Sequence, residues 1–343
     1  MKSAATISRR RRASSFGKLA YFTLLLVLLI AAVLISLNTG LLRIGPAETV
    51  RTLFGMGTGD SSIVLLHIRL PRIAIAILVG AAFAASGAIM QGVSQNGLAD
   101  PGILGINAGA GLAVVAYIAF GYGKIQYAPV YMLPLMAFTG AAAAATLVFA
   151  LSYRKGRIAP LRLALVGIAV GSGISALMLF LTYRMNAYNY DFVKIWMTGS
   201  IWGTNWTYVL VAFVWIAALL PFAIYKANRL NLLDLGDELA VGLGVSVQRE
   251  RVLFMAIAAG LAGTAVAVAG SIGFVGLIAP HLARRTIGLQ YRLLLPASAL
   301  LGAALVVTAD TIGRVLVQPL EIPVGVVVAA VGAPYFLYLL TRK

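Results

Sequence analysis

The chain has 343 residues, 61% of them hydrophobic and only 11% charged, with a mean hydropathy of +0.95; so apolar a composition excludes a soluble domain and marks a polytopic membrane protein. The formal net charge of +17 does not indicate nucleic acid, because the Lys and Arg residues gather at the ends of apolar runs, where a bilayer accounts for them. The absence of cysteine excludes disulfides, zinc thiolate sites and iron-sulfur clusters, and no cofactor is expected.

In chain order, residues 1–18 form a basic arm with Arg9 to Arg12 in a row. Span 1 covers residues 19–37 and is expected to be retained, since no clean small-residue cleavage site follows it. An outer loop runs to about Leu70, and span 2 covers 73–93. It opens just after Arg69-Leu-Pro-Arg72, with proline at a first helical turn, where its missing N–H costs least. Residues 94–111 are rich in glycine and read as a tight re-entry into span 3, residues 103–120; without GxxxxGK[ST] they are no nucleotide-binding loop. Span 4 covers 131–153 and span 5 covers 161–183, with a basic loop between them. Trp196, Trp202 and Trp206 follow, suited to the headgroup level, and span 6 covers 208–225.

Residues 228–251 (NRLNLLDLGDELAVGLGVSVQRER) then form a polar island holding four of the ten acidic residues: Asp234, Asp237, Glu238 and Glu250. In a chain this greasy the island must lie in water. A short helix is expected to begin at Asp237 and Glu238, whose carboxylates favour the positive end of the helix dipole. Leu239, Val241 and Leu243 alternate with Ala240, Gly242 and Gly244, so the island has an apolar side to offer a partner. Residues 252–288 are too few for two full spans and a turn. A break is expected at Gly270-Ser-Ile-Gly273, with span 7 before it and a short span 8, carrying Pro280 and His281, after it. Span 9 covers 294–316 and span 10 covers 324–340.

Ten spans place both termini on one side, and most of the 27 Lys and Arg residues then fall on that side, which argues for cytoplasmic termini and a cytoplasmic island. Residues 80–92 (GAAFAASGAIMQG) and 259–273 (AGLAGTAVAVAGSIG) echo each other, each followed by a break and a shortened span. Their opposite directions suggest inverted-repeat halves, a transporter feature.

Enzyme chemistry fares badly. His67 and His281 fall at opposite membrane faces, and neither HExxH nor GxSxG occurs. Proton-coupled transport needs buried ionisable groups. Only Asp310 lies well inside a span, and Arg314 one turn on would neutralise it. Arg69, Arg72 and Arg314 are expected together at the outer surface, a basic rim suited to an acidic partner. A stand-alone secondary transporter or channel stays open as the alternative reading.

RLPR (69–72), SGAIMQ (86–91), NGLADPGILGINAGAG (96–111), LGDELAVGLGV in the island, AGSIGFVGLIAPH (269–281), ADTIGR (309–314), EIPVG (321–325) and GAPYFLYLL (332–340) occur in this order. Through them the chain resembles the permease subunit of ABC importers for iron-siderophores, haem and cobalamin, most of all the ferric-siderophore branch. The resemblance implies an all-α polytopic fold of ten transmembrane helices. It also implies a second permease subunit (the same chain or a relative), two cytoplasmic ATPase subunits, an extracytoplasmic substrate-binding lipoprotein and a place in the bacterial cell membrane. It puts binding-protein docking on Arg69, Arg72 and Arg314, and ATPase coupling on Asp234, Asp237, Glu238, Gly242 and Gly244. Gln91, Asn96, Asn107, Pro280 and His281 are the residues expected along the translocation path.

Overall fold

The computed structural model describes residues 2–40, 45–57, 59–120, 132–154 and 157–341. Arg43, Lys124, Lys155, Arg342 and Lys343, which enter the charge asymmetry, and Tyr131, the expected start of span 4, lie outside these residues. Among the described residues the fold is all-α except for one hairpin of two-residue strands. In order it forms α1 (Lys2–Asn38), α2 (Pro46–Leu53) and α3 (Gly59–Ser62), a π-helical turn (Ile63–Arg69), α4 (Leu70–Val93), a 3-10 turn (Pro101–Leu104), α5 (Ile106–Phe120) and α6 (Met132–Ser152). The hairpin β1 (Tyr153–Arg154) and β2 (Arg157–Ile158) leads into α7 (Pro160–Tyr183), α8 (Ala187–Met197), α9 (Trp206–Asp234) and α10 (Asp237–Gly242). α11 (Val247–Ala269), α12 (Val275–Ile287), α13 (Tyr291–Leu316) and α14 (Val324–Thr341) complete the chain.

Seven of the described helical segments are long and apolar enough to cross a bilayer, and α5, α12 and α14 are shorter. The apolar window of α4 is 78% buried and that of α11 72%, against 11% in α1 and 17% in both α7 and α9. The first two are therefore the centre of the bundle, with α13 packed on α4, while α1, α7 and α9 show their apolar sides outward, as lipid-facing helices do. Small residues permit the tight centre. The glycines Gly80 and Gly302 abut where α4 crosses α13, and Gly87 lies against the backbone of Gly276 where α4 crosses α12.

Several boundaries differ from expectation. Span 2 continues back to Gly59 instead of starting after an outer loop, because the helix passes through Pro71. The π-helical turn shifts the bonding register ahead of it, so that the Leu70 N–H donates to the Leu65 carbonyl. α9 runs nine residues past the expected end of span 6 and takes up the first part of the island, with Leu230 and Leu233 on its buried side. The linker proper is only 235–246. The loop after span 5 contains α8, started by Asn186, whose side chain accepts from the Asn189 N–H at 2.9 Å. The break after α11 falls at Gly270–Gly273 as expected.

Side-chain contacts between helix ends fix their directions. Arg72 at the start of α4 meets Asp310 near the end of α13, and Arg314 reaches Ser36 and Thr39 at the end of α1. At the opposite end Gln95, just after α4, donates to the Leu233 carbonyl of α9, and the Tyr291 N–H at the start of α13 donates to Asn231. The arginines and the island therefore occupy opposite ends of the bundle.

Candidate functional site

At the arginine end the three predicted arginines come together, but two of them turn inward. Arg69 and Arg314 are 5% and 8% exposed. Arg69 donates to the Leu37 carbonyl, and Arg314 to the Ser36 hydroxyl and, at 3.3 Å, to the Thr39 carbonyl. Carbonyls in the last turn of a helix lack partners within it, so two guanidiniums there both satisfy them and complement the negative end of α1. Arg72 grips Asp310 through Nε at 3.0 Å and Nη2 at 2.8 Å, and the same Nη2 lies 2.9 Å from Glu321. Asp310 is also 3.1 Å from Arg314, the expected pair one helical turn away. Glu321, about one-third exposed, is the member of the cluster that sequence reasoning missed; it lies in the EIPVG motif just before the start of α14.

At the island end, α10 begins at Asp237 as expected and carries Asp237 and Glu238 in its first turn. It stops by a two-bond motif: the Val245 N–H donates to the Ala240 carbonyl and the Gly244 N–H to the Val241 carbonyl, with Gly244 at φ +79. This left-handed turn suits glycine, and the buried Ala240 and Val245 supply the apolar contact that accompanies it. Leu235, Leu239, Val241 and Leu243 all remain exposed. Of the four island acids, Asp237 pairs with Arg251 at 2.8 Å, and Glu250 lies 3.5 Å from Lys226. Asp234 sits near Arg284; burial raises its carboxyl, against the pull of that guanidinium. Glu238 is exposed and makes no ion pair among the described residues.

The predicted path residues divide. Asn107 lines a cavity of about 760 Å³ between α5 and α7, together with Asp100, Ser172, Ser175, Trp196 and Ser271, and its Oδ1 has no hydrogen-bond partner among the described residues. Burial raises the Asp100 carboxyl, in part offset by the bond from the Gly102 N–H. Gln91 instead ties α4 to α12 through the Gly276 carbonyl at 3.2 Å. Asn96 is exposed and closes its own loop on the Leu98 N–H. Pro280 is buried inside α12, and His281 rests edge-on against Tyr335 with ring centroids 6.0 Å apart. Asp100, Ser172 and Ser175 were missed; the signal for the serines was the run Gly171-Ser-Gly-Ile-Ser175, too small and polar for a lipid face.

A helical bundle with a hydrophilic finger at one end, an arginine-carboxylate cluster at the other and a part-polar cavity between belongs to the multi-pass membrane transport proteins. The chain is a member of the FecCD transport family, which matches residues 28–342. It is 46% identical to the iron(3+)-hydroxamate import system permease protein of Bacillus subtilis over 319 residues, covering 92% of this chain and 95% of that one. The hemin transport system permease protein of Yersinia pestis is 42% identical over 321 residues, covering 93% and 94%. A solved metal-chelate type ABC transporter in an inward-facing conformation superposes with a TM-score of 0.83 at 31% identity, over 95% of this chain and all of that one.

Proposed function

We propose that this chain is the membrane permease subunit of an ATP-driven importer and passes an iron(III)-siderophore complex across the bacterial cell membrane. It works beside a second permease subunit, two ATPase subunits and a substrate-binding lipoprotein. In this reading α5, α12 and α14 complete ten passes, the termini and island are cytoplasmic, and the halves are inverted repeats. The two non-glycine residues with left-handed backbone among the described residues, Gln95 and Phe274, support the repeat, since each lies in the break after one of the two central helices. The observation that carries the function is the exposed face of α10. Leu235, Leu239, Val241 and Leu243, in α10 and at its two ends, are exposed together with Glu238, which makes no ion pair among the described residues, at the end of the bundle away from the arginines, and an exposed patch of this kind marks a partner surface. With this chain's acidic and apolar finger in its cleft, the ATPase does the chemistry, so the permease itself is not an enzyme.

The test is uptake of a radioiron-labelled ferric hydroxamate by cells carrying the complete system. Import that fails without ATP and survives a proton uncoupler supports the proposal; import abolished by the uncoupler at normal ATP overturns it in favour of a secondary transporter. Glu238→Lys should also weaken capture of the ATPase on this subunit about tenfold, as reversal of an interfacial charge does, read by co-purification at low salt.

The arginine end is proposed to receive the binding lipoprotein, with Arg72 the most accessible of its three arginines. An incoming carboxylate must displace Glu321 from Arg72 while Asp310 keeps its hold. Glu321→Gln removes that internal competitor, and because a pair with a solvent-accessible carboxylate is worth at most about 1 kcal/mol, affinity for the lipoprotein should rise by up to about fivefold. Titration of the lipoprotein onto the permease in nanodiscs measures this.

A further inference from the structure

At the island end, Arg251 lies in the second turn of α11 and is 1% exposed, although it is charged and sits next to water. Its two terminal nitrogens form a fork on Asp237, Nη2 to Oδ1 at 2.8 Å and Nη1 to Oδ2 at 3.2 Å. Nη1 also donates to the Ile158 carbonyl at 3.0 Å. One turn earlier on α11, the Gln248 side-chain oxygen accepts from the Ile158 N–H at 3.0 Å. Both backbone groups of Ile158 in β2 are thus held by α11, and the same guanidinium holds α10.

Both routes leading away from this joint end at the same cavity. β2 passes within two residues into α7, which supplies Gly167, Ser172 and Ser175 to the cavity wall. α11, about 34 Å long at 1.5 Å per residue, ends at the break that supplies Ser271. Gly270 in that break packs against the Trp196 carbonyl, and Trp196 lines the cavity too. α10 has little else to hold it. Ala240 and Val245 are buried, its larger apolar side chains face water, and its other first-turn acid, Glu238, makes no ion pair among the described residues.

We infer that Arg251 is a positioning residue that transmits displacement of α10 to both walls of the cavity, through the α6–α7 hairpin to α7 and through α11 to Ser271. A planar fork fixes the angle between two elements as well as their distance, which a lysine ammonium does not. A buried charge pair is weak evidence for stability by itself; what singles this one out is that a single side chain joins three elements, one of them the partner-facing helix. The inference rests on the importer reading above, because only a partner pushing on α10 gives the joint something to transmit.

The experiment uses the whole complex in proteoliposomes, with ATP hydrolysis and uptake of a radioiron-labelled ferric hydroxamate measured on the same sample. Arg251→Lys keeps the charge and loses the fork. It should lower iron taken up per ATP hydrolysed about tenfold, within the range of coupling between linked sites, and Gln248→Ala, which cuts only the hairpin tie, about threefold, as substitutions along a coupling network do. A loss of stability alone would lower both rates together and leave the ratio unmoved. A ratio equal to the unmodified complex in Arg251→Lys therefore overturns the inference. If that variant does not assemble, Asp237→Asn, at a half-exposed position, is read by the same two outcomes. Failure of the unmodified complex to import with ATP would instead overturn the function on which the inference rests.

Discussion

Asp310→Asn should be among the most destabilising conservative changes in the chain, at about 3–5 kcal/mol. Asp310 is 3% exposed and stands between Arg72 at 2.8 Å and Arg314 at 3.1 Å, with Arg69 in the same cluster. Asparagine keeps the volume and one acceptor but removes the cluster's buried carboxylate, leaving Arg72 and Arg314 to share Glu321, which is about one-third exposed. Arg314 suffers most, because its remaining hydrogen-bond partners among the described residues are the neutral oxygens of Ser36 and Thr39. These contacts also fasten the end of α1 to α13, so the damage should begin with α1 loosening. Thermal unfolding of purified protein in detergent gives the loss, and Arg314→Gln added to Asp310→Asn should recover part of it by removing one stranded charge. Unchanged stability of the single variant would show that the cluster contributes no net energy. The same geometry weakens the proton-coupled reading, since a carboxylate clamped by two guanidiniums is built to remain paired.

What could be read in advance depended on how local the cause was. That a break was needed followed from chain length and its place from Gly270-Ser-Ile-Gly273, and the start of α10 at Asp237 from two acids before an apolar run. Family membership rested on motifs spread over nearly the whole chain, and the match over residues 28–342 agrees with it. The start of span 2 was misplaced because Pro71 looks like a helix beginning; only the backbone shows that a π-helical turn lets the helix run through it. Arg69 and Arg314 were expected as an outward rim, since charge at a span end ordinarily seeks water. Their inward turn depends on the carbonyls of α1, more than thirty residues from Arg69 and 275 or more from Arg314. No spacing rule reports such a partner. The joint at Arg251 was illegible for a similar reason, as β2, the element it adds to the neighbouring α10 and α11, lies more than ninety residues away in the chain, whereas the cavity serines were legible in composition and were passed over.

Gly87→Val tests the centre of the bundle, and its expected effect is the largest of all. A Cβ at residue 87 would stand within 2 Å of the Gly276 carbonyl oxygen, with the Gly276 carbonyl carbon and Cα both at 2.4 Å. Every atom met is backbone, so no side chain can rotate away, and relief requires α4 and α12 to separate. Ordinary overpacking costs about 1–3 kcal/mol when neighbours can shift; a clash with backbone in the most buried helix should exceed that range and prevent accumulation of folded protein. Gly173→Val is the matched control, because no atom lies within 4 Å of a Cβ there and α7 shows its apolar side outward. It adds the same atoms to a helix of the same kind and should leave yield and melting temperature nearly unchanged. Size-exclusion profiles of the two variants, expressed side by side, separate the outcomes. A monodisperse Gly87→Val protein with normal melting would mean that α4 and α12 do not cross at this glycine, and the position of the short helix against the bundle centre would have to be redrawn.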